Sequence, residues 1–439
     1  MTYDEHILTQ QQGKPALRET YDDSTTDSPL DFTLGSSSNL PANPFSVMDA
    51  QIERYQSQGI DVIDLSKANP DLPTPAFIVK AGQEALHLLE NNRYSAFDGK
   101  PVLLQAAQQW YKSQHGVSVQ WDTQLLATCG AGVALTAVTQ CLLKRGDVML
   151  AVGPYYPPYQ ALADAAGARM VTIASTAETD FLPDIDSVDE ETWNAATLLL
   201  LNYPNNPTGA LATRDLFRRL VDIAHRHHVI IANDFAYAGL ESEGNRPISL
   251  LATPGASDCA IEIVSMSKMY AMAGWRLGFC AGPAELMREI REYHHQLCSS
   301  PTGAVQDAGA VALLSDQHSV HELSLIYARR RKLFMQGLEA AGLSVFDSKG
   351  SVFVWVRVPE NQSSSQFAQE LLSHAHVAAM SGECFGQYGE GYVRLSLLTD
   401  ERRLQEAAAR IGKIGKISKL DKLGRISEID RPCLNNETR

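Results

Sequence analysis

A lysine close to two serines is the first feature of this sequence that could do chemistry. Lys268 ends the motif Ser265-Met266-Ser267-Lys268, which follows an apolar run suited to the interior of a sheet. A lysine at a buried strand end is costly unless it is neutralised, paired or used covalently, so Lys268 is a candidate nucleophile or base. The alternative is a lysine at the sheet rim with its ammonium group in water. The serine-nucleophile signature SxxK also matches, but it needs SDN and KTG motifs that this sequence lacks.

Two further polar clusters follow apolar runs. Asp234 comes directly after the run Val229–Asn233, and Tyr237 lies three residues further on. Asn206 lies in a turn rich in Pro and Asn that ends the run Thr197–Tyr203. Ligands of open α/β sheets bind at the carboxyl ends of the strands, so these side chains are expected at one binding edge. The alternative for Asp234 is the N-cap of a helix, which is a common role for aspartate.

A turn of small residues, Gly130-Ala131-Gly132, joins another apolar run to a helical pattern. As a dinucleotide fingerprint it is weak, because Leu135 stands where the third glycine belongs. A small-residue turn at the N-terminus of a helix nevertheless offers backbone N–H groups to a phosphate. The segment therefore predicts a phosphate cradle.

The elements that must position these residues alternate along the chain. Short apolar runs are separated by amphipathic patterns of helical period, which indicates a mostly parallel sheet covered by helices on both faces. The runs are Leu125–Thr128, Val148–Val152, Thr197–Tyr203, Val229–Asn233 and Ile261–Met266. After about residue 310 the pattern changes to two helices, over 319–341 and 364–374, and two strands, over 351–358 and 392–396. The sequence therefore predicts an α/β fold with a large domain and a smaller α+β C-terminal domain.

Five parts of the chain are predicted. They are a mobile acidic arm over 1–42, an N-terminal segment over 43–70 that joins the small domain, a large domain over 71–305, a small domain over 306–410 and a basic tail over 411–439. The arm is polar and rich in Ser, Thr, Asp and Gln, so it can bury little apolar surface.

Two features are expected to be solvated and carry no predicted chemistry. In the tail, isoleucines and leucines recur every three residues from Ile411 to Ile429, a period that leaves no lasting apolar face on a helix. The histidine pairs His227-His228 and His294-His295 lie in polar helical patterns.

Composition and charge argue against several functions. The chain has 439 residues and a formal net charge of −14, opposite in sign to that of a typical nucleic-acid binder. No apolar stretch approaches the ~20 residues of a membrane span, and the N-terminus lacks the features of a signal peptide. The seven cysteines are scattered and form no CxxC, which argues against a zinc module or a disulfide framework and fits a reducing cytoplasm. No metal, membrane or nucleic-acid partner is expected.

Together these motifs resemble the fold-type I, pyridoxal-phosphate-dependent class I and II aminotransferases over roughly residues 44–410. They occur in the family's order: Gly130-Ala131-Gly132, Tyr156, Asn206-Pro207-Thr208-Gly209, Asp234 with Tyr237, Ser265-Met266-Ser267-Lys268, Arg276 and Arg394. The form Asp-x-Ala-Tyr at 234–237 is similar to that of the diaminopimelate and alanine aminotransferases. The resemblance implies a pyridoxal 5′-phosphate site in the large domain and a homodimer with shared active sites.

The resemblance also implies roles around the cofactor ring. Lys268 would hold the cofactor covalently and then act as general base. Asp234 would pair with the pyridinium nitrogen and keep it protonated, which makes the ring an electron sink. Asn206 and Tyr237 would bond the phenolic oxygen of the ring.

Tyrosines are implied at two further positions. Tyr156 would stack on the ring face, although its neighbours Tyr155 and Tyr159 are alternatives for that role. Tyr94 resembles the family's tyrosine that reaches a phosphate across the dimer interface.

The phosphate and the substrate complete the implied site. The phosphate would be held by backbone N–H groups and by polar side chains, namely Ala131, Gly132, Ser265, Ser267 and Arg276. Arg394 would clamp the substrate α-carboxylate in a bidentate manner, close to Asn206. Ala68, with Lys67 beside it, stands where the family usually has a glycine at the substrate carboxylate site.

Two enzymatic functions remain at this point. The first is an aminotransferase that acts on an L-amino acid and a 2-oxo acid by a ping-pong mechanism. The second is a lyase, cyclase or oxidase that uses the same cofactor on an amino acid in specialised metabolism. A regulator built on this fold would need a DNA-binding domain in front, and the first 42 residues are too short and too acidic for one.

Overall fold

The computed structural model describes residues 42–242 and 244–422, and each of the five predicted apolar runs forms a strand in it. The predicted acidic arm lies outside the described residues except for residue 42. The strands are β1 (Ile63–Asp64), β2 (Leu125–Thr128), β3 (Val148–Gly153), β4 (Arg169–Ala174), β5 (Ala196–Leu201), β6 (Ile230–Phe235), β7 (Ala260–Ser265), β8 (Gly278–Ala281), β9 (Phe353–Arg357), β10 (Val377–Ala378), β11 (Met380–Ser381) and β12 (Tyr392–Ser396).

Helices separate most of these strands. They are α1 (Pro44–Ser57), α2 (Ala76–Ala85), α3 (Pro101–Trp110), α4 (Ala131–Leu142), α5 (Pro158–Ala166), α6 (Glu190–Ala195), α7 (Arg214–His227), α8 (Met266–Met269), α9 (Ala284–Leu297), α10 (Gly303–Leu314), α11 (His318–Ala340), α12 (Ser364–Glu370) and α13 (Glu401–Lys422). Short 3-10 and π turns connect several of them.

A seven-stranded sheet forms the centre of the larger part, in the order β2-β8-β7-β6-β5-β3-β4. Strand β8 runs antiparallel to both of its neighbours, and all other pairs are parallel. The predicted α/β fold with a mostly parallel sheet is therefore confirmed. Strands β4 and β8 were not predicted; β8 is only four residues long and begins with Gly278, so it carries no distinctive local pattern.

The sheet is buried on both faces, as the apolar runs require. On β5, Leu199 and Leu201 pack into the core under α7, whereas Leu198 and Leu200 pack on the opposite side under α4, α5 and α9. Because successive side chains of a strand point to opposite faces, four consecutive leucines need a helical layer on each side.

The smaller part contains two short sheets. Strands β11, β12 and β9 form an antiparallel sheet, on which α11, α12 and α13 pack. Strand β1 pairs in parallel with β10, with Ile63 opposite Val377. The segment that precedes the large domain in sequence is therefore held by C-terminal elements.

Two expectations of solvation are wrong. Helix α13 crosses the predicted start of the tail, and Ile411 is 3% exposed because it packs in the same core as Leu404. The tail beyond residue 422 lies outside the described residues. His294 is fully buried and His227 nearly so, because each faces inward from an amphipathic helix, whereas His228 is exposed as expected.

Candidate active site

The carboxyl ends of β5, β6 and β7 open into a cavity of about 580 Å³. The predicted site residues converge here from segments spread over more than 300 positions of sequence. Those that line the cavity are Ala68, Ala131, Gly132, Tyr156, Asn206, Asp234, Tyr237, Ser265, Ser267, Lys268, Arg276 and Arg394.

Lys268 is the third residue of the one-turn helix α8, directly after β7. Its Nζ donates a hydrogen bond to the backbone carbonyl of Ala68. Burial, followed by the positive charges of Arg394 and Arg276, lowers the pKa of Lys268 to about 8. The side chain therefore ends inside the cavity rather than in bulk water, and its amine is a competent nucleophile and base near neutral pH.

Asp234 lies at the end of β6 and is 5% exposed. The hydroxyl of Tyr159 donates to its Oδ2 at 2.9 Å, whereas Oδ1 has no hydrogen-bond partner among the described residues. Burial raises the pKa of Asp234 to about 6, although the Tyr159 hydroxyl and the nearby Ala236 N–H oppose the shift. A turn rather than a helix follows, so Asp234 is not a helix cap. Its buried Oδ1 is an acceptor that lacks a donor.

The three neighbouring tyrosines have different positions. Tyr156 lines the cavity, whereas Tyr155 and Tyr159 do not. Tyr159 is buried behind Tyr156, with the two rings 5.7 Å apart and nearly perpendicular. The sequence analysis missed Tyr159 as the partner of Asp234, because the two residues are 75 positions apart and no local pattern connects them.

Arg394 lies on β12 and is fully buried. It donates to Asn206 Oδ1 at 2.8 Å and to the backbone carbonyl of Ser66, while its Nε has no partner in the described part of the chain. Its guanidinium carbon is 4.1 Å from the ring centre of Phe353. Burial lowers the pKa of Arg394 to about 10, so the group is still a cation at neutral pH. A buried cation with no carboxylate partner is suited to bind an anion.

The turn before α4 forms a cradle around Arg276. Gly130 has φ +91°, and a Cβ there would lie 2.6 Å from an Arg276 Nη2, so this turn requires glycine. Helix α4 begins at Ala131 without a side-chain cap, which leaves its first N–H groups available. Ser265 and Ser267 are buried beside this edge, with the Ser267 N–H donating to Ser265 Oγ at 3.2 Å. Uncapped N–H groups beside an arginine suit a phosphate.

Tyr237 and Asn206 face the cavity from neighbouring strand ends. Tyr237 is 5% exposed, and burial raises its pKa well above the usual value, so its hydroxyl stays protonated. A protonated phenol and a carboxamide can both bond an oxygen atom on a ligand.

Three residues of the outer wall were not predicted as site residues. Phe45 and Asp49 belong to α1, and Lys67 precedes Ala68. The Phe45 ring lies 5.4 Å from the Arg394 guanidinium and 6.3 Å from the Tyr156 ring. The position of α1 over the cavity depends on packing between distant segments, which no local pattern reports.

Tyr94 is the one predicted site residue that a single chain does not bring to the cavity. Its side chain is 97% exposed.

No helix in residues 42–242 and 244–422 has the length and apolar character needed to cross a bilayer.

These observations fit pyridoxal phosphate. The unpartnered Asp234 Oδ1 suits a protonated ring nitrogen, the α4 cradle with Arg276 suits the phosphate, and the Lys268 amine suits an aldehyde.

Comparison with known proteins agrees with this fit. The family model for aminotransferase class I and II matches residues 60–411. An L-glutamine–4-(methylsulfanyl)-2-oxobutanoate aminotransferase of Bacillus subtilis is 41% identical over 374 residues, which cover 85% of this chain and 94% of the relative. An LL-diaminopimelate aminotransferase of Aquifex aeolicus is 38% identical over 372 residues, which cover 85% and 96%.

A solved structure gives the same result for the fold. The substrate-bound BacF structure from Bacillus subtilis superposes with a TM-score of 0.84 at 33% identity, over 88% of this chain and 98% of that chain. The chain therefore belongs to the class I and II aminotransferase family and is a pyridoxal-phosphate-dependent aminotransferase of fold type I.

Proposed function

We propose that this enzyme transfers the amino group of an L-amino acid with a neutral side chain to a 2-oxo acid, with Lys268, Asp234 and Arg394 as its principal residues. One observation carries the proposal: three groups converge in one cavity, namely an amine of lowered pKa, a buried carboxylate oxygen without a donor and a buried guanidinium that has no carboxylate partner among the described residues. Pyridoxal phosphate, when bound, supplies an electron-withdrawing ring that stabilises negative charge at the substrate Cα.

Lys268 is proposed to hold the cofactor until the substrate arrives and then to move the proton of the substrate Cα. Its pKa of about 8 supports both roles, because a useful fraction of the amine is unprotonated near neutral pH. The Ala68 carbonyl, which accepts from Lys268 Nζ, restricts where the amine can lie.

Asp234 is proposed to hold a proton on the ring nitrogen through its free Oδ1. Tyr159 orients the carboxylate from behind and favours its ionised form by donating to Oδ2. Asn206 and Tyr237 would bond the phenolic oxygen of the ring, and Tyr156 would pack on its face.

In this proposal the substrate α-carboxylate and the cofactor phosphate bind to different cations. Arg394 takes the substrate α-carboxylate, and its bonds to Asn206 and to the carbonyl of Ser66 orient the guanidinium. Ala68 lines the same end of the cavity. The phosphate lies at the start of α4, where the binding groups would be Ala131, Gly132, Ser265, Ser267 and Arg276.

The preference for a neutral side chain rests on the cations of the cavity wall. Arg394, Arg276 and Lys268 have the roles given above, and Lys67 is ion-paired with Asp49 at 2.8 Å. While Lys67 is paired with Asp49, no cation among the described residues of the cavity wall is left to bind a distal carboxylate on the substrate. The name of the Bacillus relative, which pairs glutamine with a thioether 2-oxo acid, supports the same substrate class.

A homodimer is proposed from the exposed surface. Large apolar side chains are exposed on α2, α3, α10 and adjoining segments, and α10 packs on both α2 and α3. They are Phe77, Leu86, Leu88, Leu89, Phe97, Val102, Leu297, Val311 and Leu314. Such a patch is typical of an interface, and Tyr94 lies within the same segment, which supports its proposed reach to the phosphate of the partner subunit.

The predicted domain division and cytoplasmic location are also retained as proposals. The pairing of β1 with β10 supports joining residues 43–70 to a small domain that follows a large domain over 71–305. Six cysteines of the described part are free thiols, which fits a reducing compartment.

Half-reactions without any 2-oxo acid test the proposed function. The holoenzyme is mixed with glutamine, methionine, glutamate or LL-diaminopimelate, and the visible spectrum of the cofactor is followed. We expect stoichiometric conversion to the pyridoxamine form, fastest with glutamine or methionine. Release of ammonia or uptake of oxygen would instead support the lyase, cyclase or oxidase alternative, and a marked preference for glutamate would contradict the neutral substrate class.

A further inference from the structure

Two neighbouring arginines of α11 are buried and have no role in the proposals above. Arg330 is 5% exposed and Arg331 is 2% exposed. Adjacent residues of a helix point about 100° apart, so the two side chains leave α11 in different directions. Arg330 reaches the segment before α2, whereas Arg331 reaches the turn before β9. The two arginines therefore hold two different parts of the chain.

Arg330 anchors one end of the segment that carries Ser66. Its Nη1 and Nη2 donate to Oδ1 and Oδ2 of Asp71, at 2.9 and 2.8 Å. The carbonyl of Leu65 anchors the other end, because it accepts from the Ser396 N–H at 2.8 Å. The Ser66 carbonyl lies between these anchors, so the fork-shaped bond from Arg330 restricts where that carbonyl can lie.

Arg331 holds the turn that carries Asn206 through one intermediate segment. Its Nη2 donates to the backbone carbonyls of Gly350 and Ser351. The Gly350 N–H donates in turn to the Gly209 carbonyl at 2.8 Å. A Cβ at Gly209 would lie 2.7 Å from the Gly350 carbonyl oxygen, so the two turns are in direct contact. Close packing of this kind transmits a displacement of one turn to the other.

Both sets of contacts end at the guanidinium of Arg394. It donates to the Ser66 carbonyl and, at 2.8 Å, to Asn206 Oδ1. Among the described residues these are its two hydrogen-bond acceptors, and its Nε has none. Bidentate binding of a carboxylate requires the planar fork of the guanidinium to face the ligand, so these two acceptors decide how well Arg394 can bind one.

We infer that Arg330 and Arg331 are positioning residues for the substrate α-carboxylate, because each holds one of the two acceptors that orient the Arg394 guanidinium. The inference rests on the proposed function, in which Arg394 binds that carboxylate. Neither positioning arginine lines the cavity, so each acts through Arg394 rather than on the substrate. The bond to the carboxylate is present before and during the reaction, so a misoriented guanidinium weakens substrate binding more than it slows the bound substrate.

Single-turnover half-reactions of the holoenzyme with methionine separate binding from chemistry. We expect Arg330→Lys and Arg331→Lys, which keep the charge but lose the fork, to raise the half-saturating methionine concentration about tenfold and to change the maximal rate less than about twofold. Asp71→Asn weakens the first anchor from its other side. Ser348→Ala does the same for the second, because Ser348 Oγ donates to the Thr208 carbonyl at 2.6 Å. Both should act in the same direction.

A double-mutant cycle tests whether the two arginines act through Arg394. Arg394→Met alone should raise the half-saturating methionine concentration more than either lysine variant does. In that background Arg330→Lys and Arg331→Lys should each add less than about twofold, because the group that they orient is already absent.

Arg329→Lys is the matched control. Arg329 precedes the two positioning arginines on α11, but its side chain is 65% exposed and pairs with Glu401. This variant should leave both the half-saturating concentration and the maximal rate unchanged.

The inference is overturned if the lysine variants lower the thermal stability of the protein but leave the half-saturating concentration unchanged, as purely structural arginines would. It is also overturned if their effects persist in full in the Arg394→Met background. Should the lysine variants fail to fold, Asp71→Asn and Ser348→Ala decide the question by the same two criteria. An Arg394→Met enzyme that binds methionine as well as the parent would instead refute the proposed role of Arg394, so the two failures are distinguishable.

Discussion

Replacement of Asp234 by asparagine is expected to slow catalysis while the fold is retained. Asparagine matches the size of aspartate and can still accept from Tyr159, but it cannot carry the negative charge that faces the ring nitrogen. Removal of one preorganised electrostatic group typically costs about 3 to 4 kcal/mol in the transition state. We therefore expect the half-reaction with methionine to slow by about 100- to 1000-fold.

The same substitution is expected to stabilise the protein when the cofactor has been removed. Burial raises the pKa of Asp234 from its ordinary value of 3.8 to about 6. Between these values the folded state holds a proton that the unfolded state has released, so the free energy of unfolding falls as the pH rises through this window. A shift of about two pKa units corresponds to about 3 kcal/mol, which asparagine recovers above pH 6.

Urea unfolding of the apoenzyme at pH 8 and pH 5 measures this gain. We expect Asp234→Asn to be more stable than the parent by about 3 kcal/mol at pH 8 and by about half as much at pH 5. Asp222→Asn, an exposed position on α7, is the control and should change neither stability nor rate. An Asp234→Asn apoenzyme no more stable than the parent at pH 8, or a half-reaction slowed by less than tenfold, would refute the assignment.

The remaining predictions concern single side chains. Borohydride should fix the pyridoxyl group on the peptide that contains Lys268, and Lys268→Ala should lose the visible absorbance of the bound cofactor; label on another lysine would contradict the site. Tyr159→Phe should raise the pKa of Asp234 further, so that, as the pH is lowered, cofactor affinity begins to fall at a higher pH than in the parent. Tyr155→Phe should leave the pH dependence of cofactor affinity unchanged. Tyr94→Phe, provided that it is impaired, and Lys268→Ala should regain activity when refolded together, and verified hybrids without activity would show that Tyr94 serves only its own subunit.

Local patterns were sufficient to predict five of the seven strands of the central sheet and several polar residues at their ends. Strands β2 and β12 have the predicted bounds, because a short apolar run between turn residues is a local signal. Asn206, Asp234, Lys268 and the turn Gly130-Ala131-Gly132 were predicted because each follows a strand, and in a parallel sheet strand ends with the same direction share one edge. The resemblance to the family, rather than a local pattern, implied Ala68, Tyr156, Arg276 and Arg394. What the sequence determined is therefore the set of strand-end residues and the chemistry of each.

Only the tertiary structure decided how distant segments meet. The pairing of β2 with β8, the bond from Tyr159 to Asp234, and the position of α1 over Arg394 join segments from 75 to more than 300 residues apart. The burial of Ile411 also depends on contacts between distant segments. Its period-three pattern predicts no apolar face, but α13 packs against the core of the smaller part. Hydrophobic periodicity reports whether a face is buried, whereas the identity of its partner depends on packing that no local window contains.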